Sequence, residues 1–289
     1  MRRNFVLPWL LLVPTLMGLS IFTLYPALQS VYLSFHEVDP FSQQSTFIGL
    51  ENYVELLHST EYWGSVKISL LFMLITVIPG VVGSLLIAVG LDSSPFFQPV
   101  LRTIFLLPVS ISSAMAAMLW IFIYNPTAGY LNYLLERLGL FGPNWLGDPK
   151  WALTAVAIAT VWKEIGFNII FFLAGLSSVP TELREAARID GANALQRFRH
   201  VVLPILSPTL FFVIVVSIIN AFQSFGQIRI LTDGGPAGST NTLVYNLYKD
   251  AFVNFRTGLA SSQAVILFLI LTGATLLQFS VAKRRVHYG

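Results

Sequence analysis

The sequence predicts an all-α, polytopic membrane protein with about six transmembrane helices and a helix-turn-helix loop projecting from one membrane face. Three observations predict it. The chain is 55% hydrophobic but only 11% charged, against roughly 25% charged residues in ordinary soluble domains. Long uncharged stretches recur along it, each near the ~20 residues a helix needs to cross hydrocarbon. Charge is instead concentrated, with four arginines and three carboxylates in residues 182–199. A mean hydropathy of +0.72 agrees.

The first apolar run, about 8–31, follows Arg2-Arg3 and contains Pro14 and Pro26. It is far longer than the ~7–15-residue core of a secretory signal and lacks a small-x-small cleavage site. We read it as a retained first helix, with a cleaved signal as the alternative. Residues 36–65 read as a turn followed by an amphipathic helix on the membrane surface. Spans follow at about 68–90 and 103–124, with Pro79 and Pro108 inside them. Between them and the next span, Tyr130 to Leu138 reads as a short helix and Gly142-Pro143-Asn144 as a turn. The fourth span, about 152–177, is interrupted by Lys163 and Glu164, and the fifth, about 203–225, holds Pro208. A loop at Thr232-Asp233-Gly234-Gly235-Pro236 and a short helix at about 242–254 lead to the last span, about 261–282. No internal repeat or linker divides the chain, so a single membrane domain over 1–289 is expected.

Orientation follows from the cations. One side would carry Arg2, Arg3, Arg102, Arg184, Arg188, Arg197, Arg199, Lys283, Arg284 and Arg285; the other Lys67, Arg137, Lys150, Arg229, Lys249 and Arg256. The richer side is taken as cytoplasmic, which puts both termini and the loop at 180–202 inside. Carboxylates at Glu37, Asp39, Glu51, Glu55 and Glu61, with no Lys or Arg in 36–61, fit an external segment. The net charge of +3 does not indicate a nucleic-acid partner. There are no cysteines, which excludes disulfides, thiol catalysis and cysteine-bound metal. His36, His58, His200 and His287 are too scattered to be metal ligands. No Gly-x-x-x-x-Gly-Lys-Ser/Thr phosphate loop occurs, so the chain is not expected to bind ATP, and we assign it no cofactor and no catalytic residue.

The polar loop reads as helix, turn, helix. Pro180 and Glu182 suit a first helical turn. Asp190-Gly191 breaks the pattern, with glycine free to take a positive φ. Leu195, Phe198 and Val202 then share a face. Ala186, Ala187 and Ala192 are small enough for another protein to approach the backbone. The plainer reading is a solvated loop whose arginines only fix topology. That reading leaves one spacing unexplained: Glu185-Ala186-Ala187, three residues, Gly191, nine residues, Val201, one residue, Leu203-Pro204.

That spacing resembles the coupling loop of permease subunits of binding-protein-dependent ABC importers, with Val201 where the family usually has isoleucine. Trp162-Lys163, Asn168, Ala174-Gly175-Leu176 and the Thr232–Pro236 loop resemble its carbohydrate and glycerol-3-phosphate type. Asp39-Pro40-Phe41, Phe122-x-x-Asn125-Pro126, Thr242-Leu243-Val244-Tyr245 and Val286-x-Tyr288 extend the likeness over nearly the whole chain. The resemblance implies that Glu185, Ala186, Ala187, Arg188, Asp190, Gly191, Ala192, Leu203 and Pro204 form the site gripped by an ATPase. It implies a bacterial or archaeal cytoplasmic membrane. It also implies two ATP-binding subunits carrying ATP and magnesium, an extracytoplasmic solute-binding protein and a second permease, a paralogue in preference to a copy. Thr232, Asp233, Gly234, Gly235 and Pro236 become a candidate contact for the binding protein.

Candidate path residues come from polarity. Ionisable groups inside a span are costly and face protein or water. Lys163 and Glu164 therefore line a path or gate, or else fix helix packing, and Asn168 is placed to share the face of Glu164. Asn220, Gln223 and Ser224 are interleaved with Phe222 and Phe225, a mixture suited to hydroxyls and C–H faces or to an interfacial belt. The expected solute is small and polyhydroxylated: glycerol-3-phosphate or its diesters first, a sugar second. An ion-gradient-driven secondary transporter is the alternative, but it would spread ionisable residues over several spans.

Overall fold

The computed structural model describes residues 6–285 apart from 41, 43 and 94–97. Arg2, Arg3, Phe41, Val286, His287 and Tyr288 lie outside the described residues. Five helices among these are long and apolar enough to cross a membrane, and one bent pair makes a sixth if counted as a single span. In chain order the helices are α1 (Val6–Leu19), α2 (Tyr25–Leu33), α3 (Glu51–His58), α4 (Thr60–Asp92), α5 (Gln98–Ser110), α6 (Ser113–Ile123), α7 (Tyr130–Arg137) and α8 (Pro149–Ser177). They continue with α9 (Thr181–Ile189), α10 (Ala194–Arg197), α11 (Leu203–Phe222), α12 (Gly226–Leu231), α13 (Leu243–Tyr248) and α14 (Thr257–Arg285). Strands β1 (His36–Val38) and β2 (Ser45–Phe47) form a small antiparallel hairpin.

Two expectations are corrected. The turn after residue 36 is this hairpin, with His36 opposite Phe47 and Val38 opposite Ser45. The span expected at 103–124 is broken: α5 and α6 meet at 103°. Ser112 leaves the helical region (φ −64°, ψ 154°), and its hydroxyl accepts the Met115 N–H as an N-cap. That cap stabilises a new helix start where one continuous helix would otherwise run. Proline shapes two other spans more gently. The π-type turns at Ser20–Leu24 and Phe198–Val202 lie just before Pro26 and Pro204. A wider turn there accommodates a ring that offers no N–H.

Packing divides the chain into two compact units. One runs to Trp63 and takes in Asn246–Ile270. Within it the Asn52 amide donates to the Ser34 and His36 carbonyls, tying α3 to the end of α2 and to β1. Arg256 pairs with Glu55 at 2.6 Å and Lys249 with Glu61 at 3.0 Å. The apolar faces of α1 and α2 are exposed, as hydrocarbon-facing surfaces are in the absence of lipid.

The other unit comprises Gly64–Tyr245 and resumes at Leu271. Its core joins Val77, Val81 and Ala88 of α4, Ile169, Phe172 and Leu176 of α8, and Leu206 and Val213 of α11. Small residues let these helices approach closely. Ala152, Ala155, Ala159 and Gly166 of α8 are buried. Gly166 lies so near α5 that an added Cβ would overlap the Phe105 carbonyl oxygen. Gly175 meets Leu206 and Thr209 of α11 in the same way. A second cluster seats α7: the Tyr124 hydroxyl donates to the Ala155 carbonyl at 2.8 Å, and the Trp145 indole to Asn132 at 2.7 Å.

Gly166→Ala should therefore destabilise the protein by about 1–3 kcal/mol through overpacking, whereas Gly90→Ala, with nothing within 4 Å, should not. Thermal unfolding of the purified variants checks this; equal melting temperatures would remove the close α5–α8 contact.

Candidate functional sites

A cavity of about 380 Å³ opens within the larger unit, at the break between α5 and α6. Val109 and Ser113 flank it on either side of the break; Lys163, Glu164, Phe167 and Asn168 enter from α8; Asn220, Gln223, Ser224, Phe225, Gly226 and Gln227 come from the end of α11 and the start of α12. Local structure explains the convergence. The α5–α8 approach at Gly166 brings the preceding Lys163-Glu164 pair beside Val109. Gly226 lets α12 start against α6, since an added Cβ there would come within 3.0 Å of the Ser113 Cβ. Helix α11 ends at Phe222, so Gln223–Phe225 turn into the cavity rather than continuing along the span.

Six of the seven path candidates thus share one cavity: Lys163, Glu164, Asn168, Asn220, Gln223 and Phe225. Phe222 does not line it and is buried. Sequence reasoning passed over Ser113 and Gln227, whose contribution depends on the helix break and on the α12 start. One buried polar group of the cavity has no partner among the described residues. Ser224 is 7% exposed and Gln227 5%, yet the Ser224 hydroxyl has no hydrogen-bond partner. Asn168 donates weakly to Ser217 at 3.4 Å, and Glu164 also reaches a smaller cavity beside Thr76 and Ser217. Lys163 takes part in no ion pair among the described residues. Buried polar groups without protein partners are costly unless water or a ligand satisfies them.

The polar loop is a closed helical hairpin. Helix α9 starts after Pro180 and carries Glu185, Ala186, Ala187 and Arg188. Asp190 caps it and Gly191 takes φ +79°. The Ala192 N–H returns to the Ala187 carbonyl and the Gly191 N–H to the Arg188 carbonyl, a Schellman closure. A reciprocal capping box between Asn193 and Gln196 starts α10. The wide turn at Phe198–Val202 then runs directly into Leu203-Pro204 at the head of α11. Exposed apolar side chains sit on this charged segment, with Ile189 86% and Leu195 73% exposed. Arg184 points the other way, pairing with Asp92 at the end of α4 (2.6 Å) and donating to the Leu176 carbonyl of α8 (2.7 Å). The sequence shows four arginines here but nothing to select the one that reaches Asp92.

The Thr232–Pro236 turn is held by its own groups. Tyr245 donates to Asp233 at 2.6 Å, and Arg229 pairs with the same carboxylate. Thr240 bonds Thr232 and the Gly235 carbonyl. Gly234 at φ +77° packs against the Tyr245 ring, leaving Asp233 as the exposed residue of the five.

The family model of the binding-protein-dependent transport system inner membrane component matches residues 80–287. The chain belongs to this family. It is also 40% identical to the sn-glycerol-3-phosphate transport system permease protein UgpA of Agrobacterium fabrum, over 99% of this chain and 98% of that one. The UgpA proteins of Brucella abortus (41%) and Yersinia enterocolitica (38%) match over 99% and 98% of the chain. A bacterial ABC transporter involved in the import of the acidic polysaccharide alginate shares the fold, with a TM-score of 0.84 at 24% identity over 96% of this chain and 95% of that one. The same transporter in complex with an alginate pentasaccharide-bound periplasmic protein scores equally. The chain is accordingly a multi-pass permease subunit of an ABC importer, not an ion-gradient-driven transporter.

Within this permease the Asp233 carboxyl titrates below the usual range, chiefly because the Tyr245 hydroxyl bonds it; desolvation comes next and opposes the shift, and the hydrogen bond and charge of Arg229 add smaller lowering contributions. A depressed folded pKa contributes stability above the unfolded value near 3.9 and loses it as pH falls through the folded one. The melting difference between the wild type and Asp233→Asn should be small, under about 1 kcal/mol for so exposed a pair, full at neutral pH, and gone at the acid end. A difference that grows on acidification would contradict the arrangement.

Proposed function

We propose that this permease lines half of the path of an importer for sn-glycerol-3-phosphate or a closely related polyol phosphate. The observation that carries the reading is the cavity. It offers amides at Asn168, Asn220, Gln223 and Gln227, aromatic faces at Phe167 and Phe225, and the cation Lys163 in about 380 Å³. Amides suit hydroxyls, rings cover C–H faces, and a cation suits a phosphoryl group. The name shared by full-length relatives at about 40% identity supports the same solute. The amide and aromatic inventory also suits a neutral sugar, which stands second.

The remaining assembly belongs to the same proposal. A second permease, a paralogue in preference to a copy, completes the path. Two ATP-binding subunits hold ATP and magnesium and dock on the Glu185–Ala192 hairpin, whose exposed Ile189 and Leu195 provide an apolar contact. This chain, without a phosphate loop, performs no hydrolysis. A solute-binding protein delivers from outside, with the Thr232–Pro236 turn and its exposed Asp233 as a contact. Both termini and the hairpin lie on the cytoplasmic side.

Two measurements test this. Glu185→Lys and Gly191→Pro should leave the chain in the membrane but abolish solute uptake and weaken ATPase association, because the hairpin is outside hydrocarbon and proline cannot take φ +79°. Undiminished uptake in both variants would remove the docking assignment. For orientation, Ala237→Cys, at an exposed position of the loop, should react with an impermeant thiol reagent applied to intact cells and Ala194→Cys should not, on a background free of native cysteine. The opposite labelling pattern would invert the topology.

A further inference from the structure

We infer that the cavity holds a dedicated subsite for the phosphoryl end of the solute, built from the first turn of α6, Lys163 and Ser224. The inference rests on the importer reading above and locates one end of its substrate. Helix α6 spans 11 residues and begins inside the bundle because α5 and α6 are separate helices. Its N-terminus carries partial positive charge and N–H groups without helical acceptors. Ser112 satisfies the Met115 N–H, which leaves those of Ser113 and Ala114, and Ser113 lines the cavity. Such a helix end by itself identifies nothing.

Ser224 supplies the independent observation. Its hydroxyl is buried, lines the same cavity and has no partner. The close contact of Gly226 with Ser113 brings its loop against the start of α6. A donor buried without a partner beside a helix N-terminus fits an acceptor-rich anion, and Lys163 brings a full positive charge to the same space. Amides at Asn220, Gln223 and Gln227 remain for the hydroxyls of the other end. Glu164 is the opposing group: it lines the cavity too, and its carboxyl, when ionised, repels an anion. Its neutralisation should therefore strengthen binding.

The test uses the complete importer, with its partner subunits, in lipid nanodiscs and without the solute-binding protein. Equilibrium binding of radiolabelled sn-glycerol-3-phosphate is measured with inorganic phosphate or glycerol as competitor. Phosphate should compete and glycerol should not at the same concentration. Lys163→Met, Ser224→Ala and Ser113→Pro should each weaken binding about tenfold or more, the usual effect of losing a hydrogen bond to a charged group, and Glu164→Gln should tighten it. Ser113→Pro deletes one backbone donor at a position proline favours, and Ser112 already has the extended backbone that precedes proline. If Lys163→Met fails to assemble, the two serine variants decide. No binding by the wild type, no competition by phosphate, or equal affinity in the serine variants would overturn the subsite. Failure of the wild-type importer, supplied with its binding protein, to take up sn-glycerol-3-phosphate would instead overturn the solute reading.

Discussion

A chain in hydrocarbon must satisfy its own backbone N–H and C=O groups, and the rest of this structure depends on how it does so. Most of the described residues answer with continuous helix. The informative places are the exceptions. At Pro26 and Pro204 the helix widens by one residue and continues. At Ser110–Ser113 it stops, turns through 103° and restarts under a serine cap. That restart is tolerable only where protein or a polar cavity receives the exposed backbone, and the polar cavity lies there.

Close helix packing follows from the same constraint. Hydrocarbon gives helices no hydrophobic reason to associate, so contact comes from small residues and interhelical hydrogen bonds. Helix α8 shows this along its length: alanines in its first half, Gly166 against α5, Gly175 against α11, and Asn168 reaching Ser217. The ionisable pair Lys163-Glu164 is held on this most enclosed helix, which explains how two such groups are accommodated in an apolar bundle.

Much of this was legible in the sequence, for identifiable reasons. Spans are visible because hydrocarbon forbids charge, and the hairpin because its spacing departs from anything a merely solvated loop requires. Gly191 was expected at a positive φ and has one. The path candidates were chosen as polar groups and the aromatic rings interleaved with them, and six of them meet at one cavity because polar groups on neighbouring spans have few other places to go. The α5–α6 break was not legible. Pro108 lies inside a stretch that reads as one span, as Pro79 does in its own, and the Ser112 cap differs from a mid-span serine only in backbone angles. The β1–β2 hairpin was missed because three-residue strands leave almost no periodic signal. Arg184–Asp92 joins residues too far apart in sequence for any local pattern to show.

The Arg184 staple has a mechanical consequence. The hairpin between α8 and α11 contains little slack: one turn is closed by a Schellman pair, the next helix by a capping box, and the exit runs straight into a span. Arg184 adds a third attachment, to the last turn of α4. A load applied at Ile189 would meet attachments to three helices rather than a slack loop. Such an element would act as a stiff crank, passing a displacement of its exposed tip to α4, α8 and α11, two of which carry the walls of the cavity.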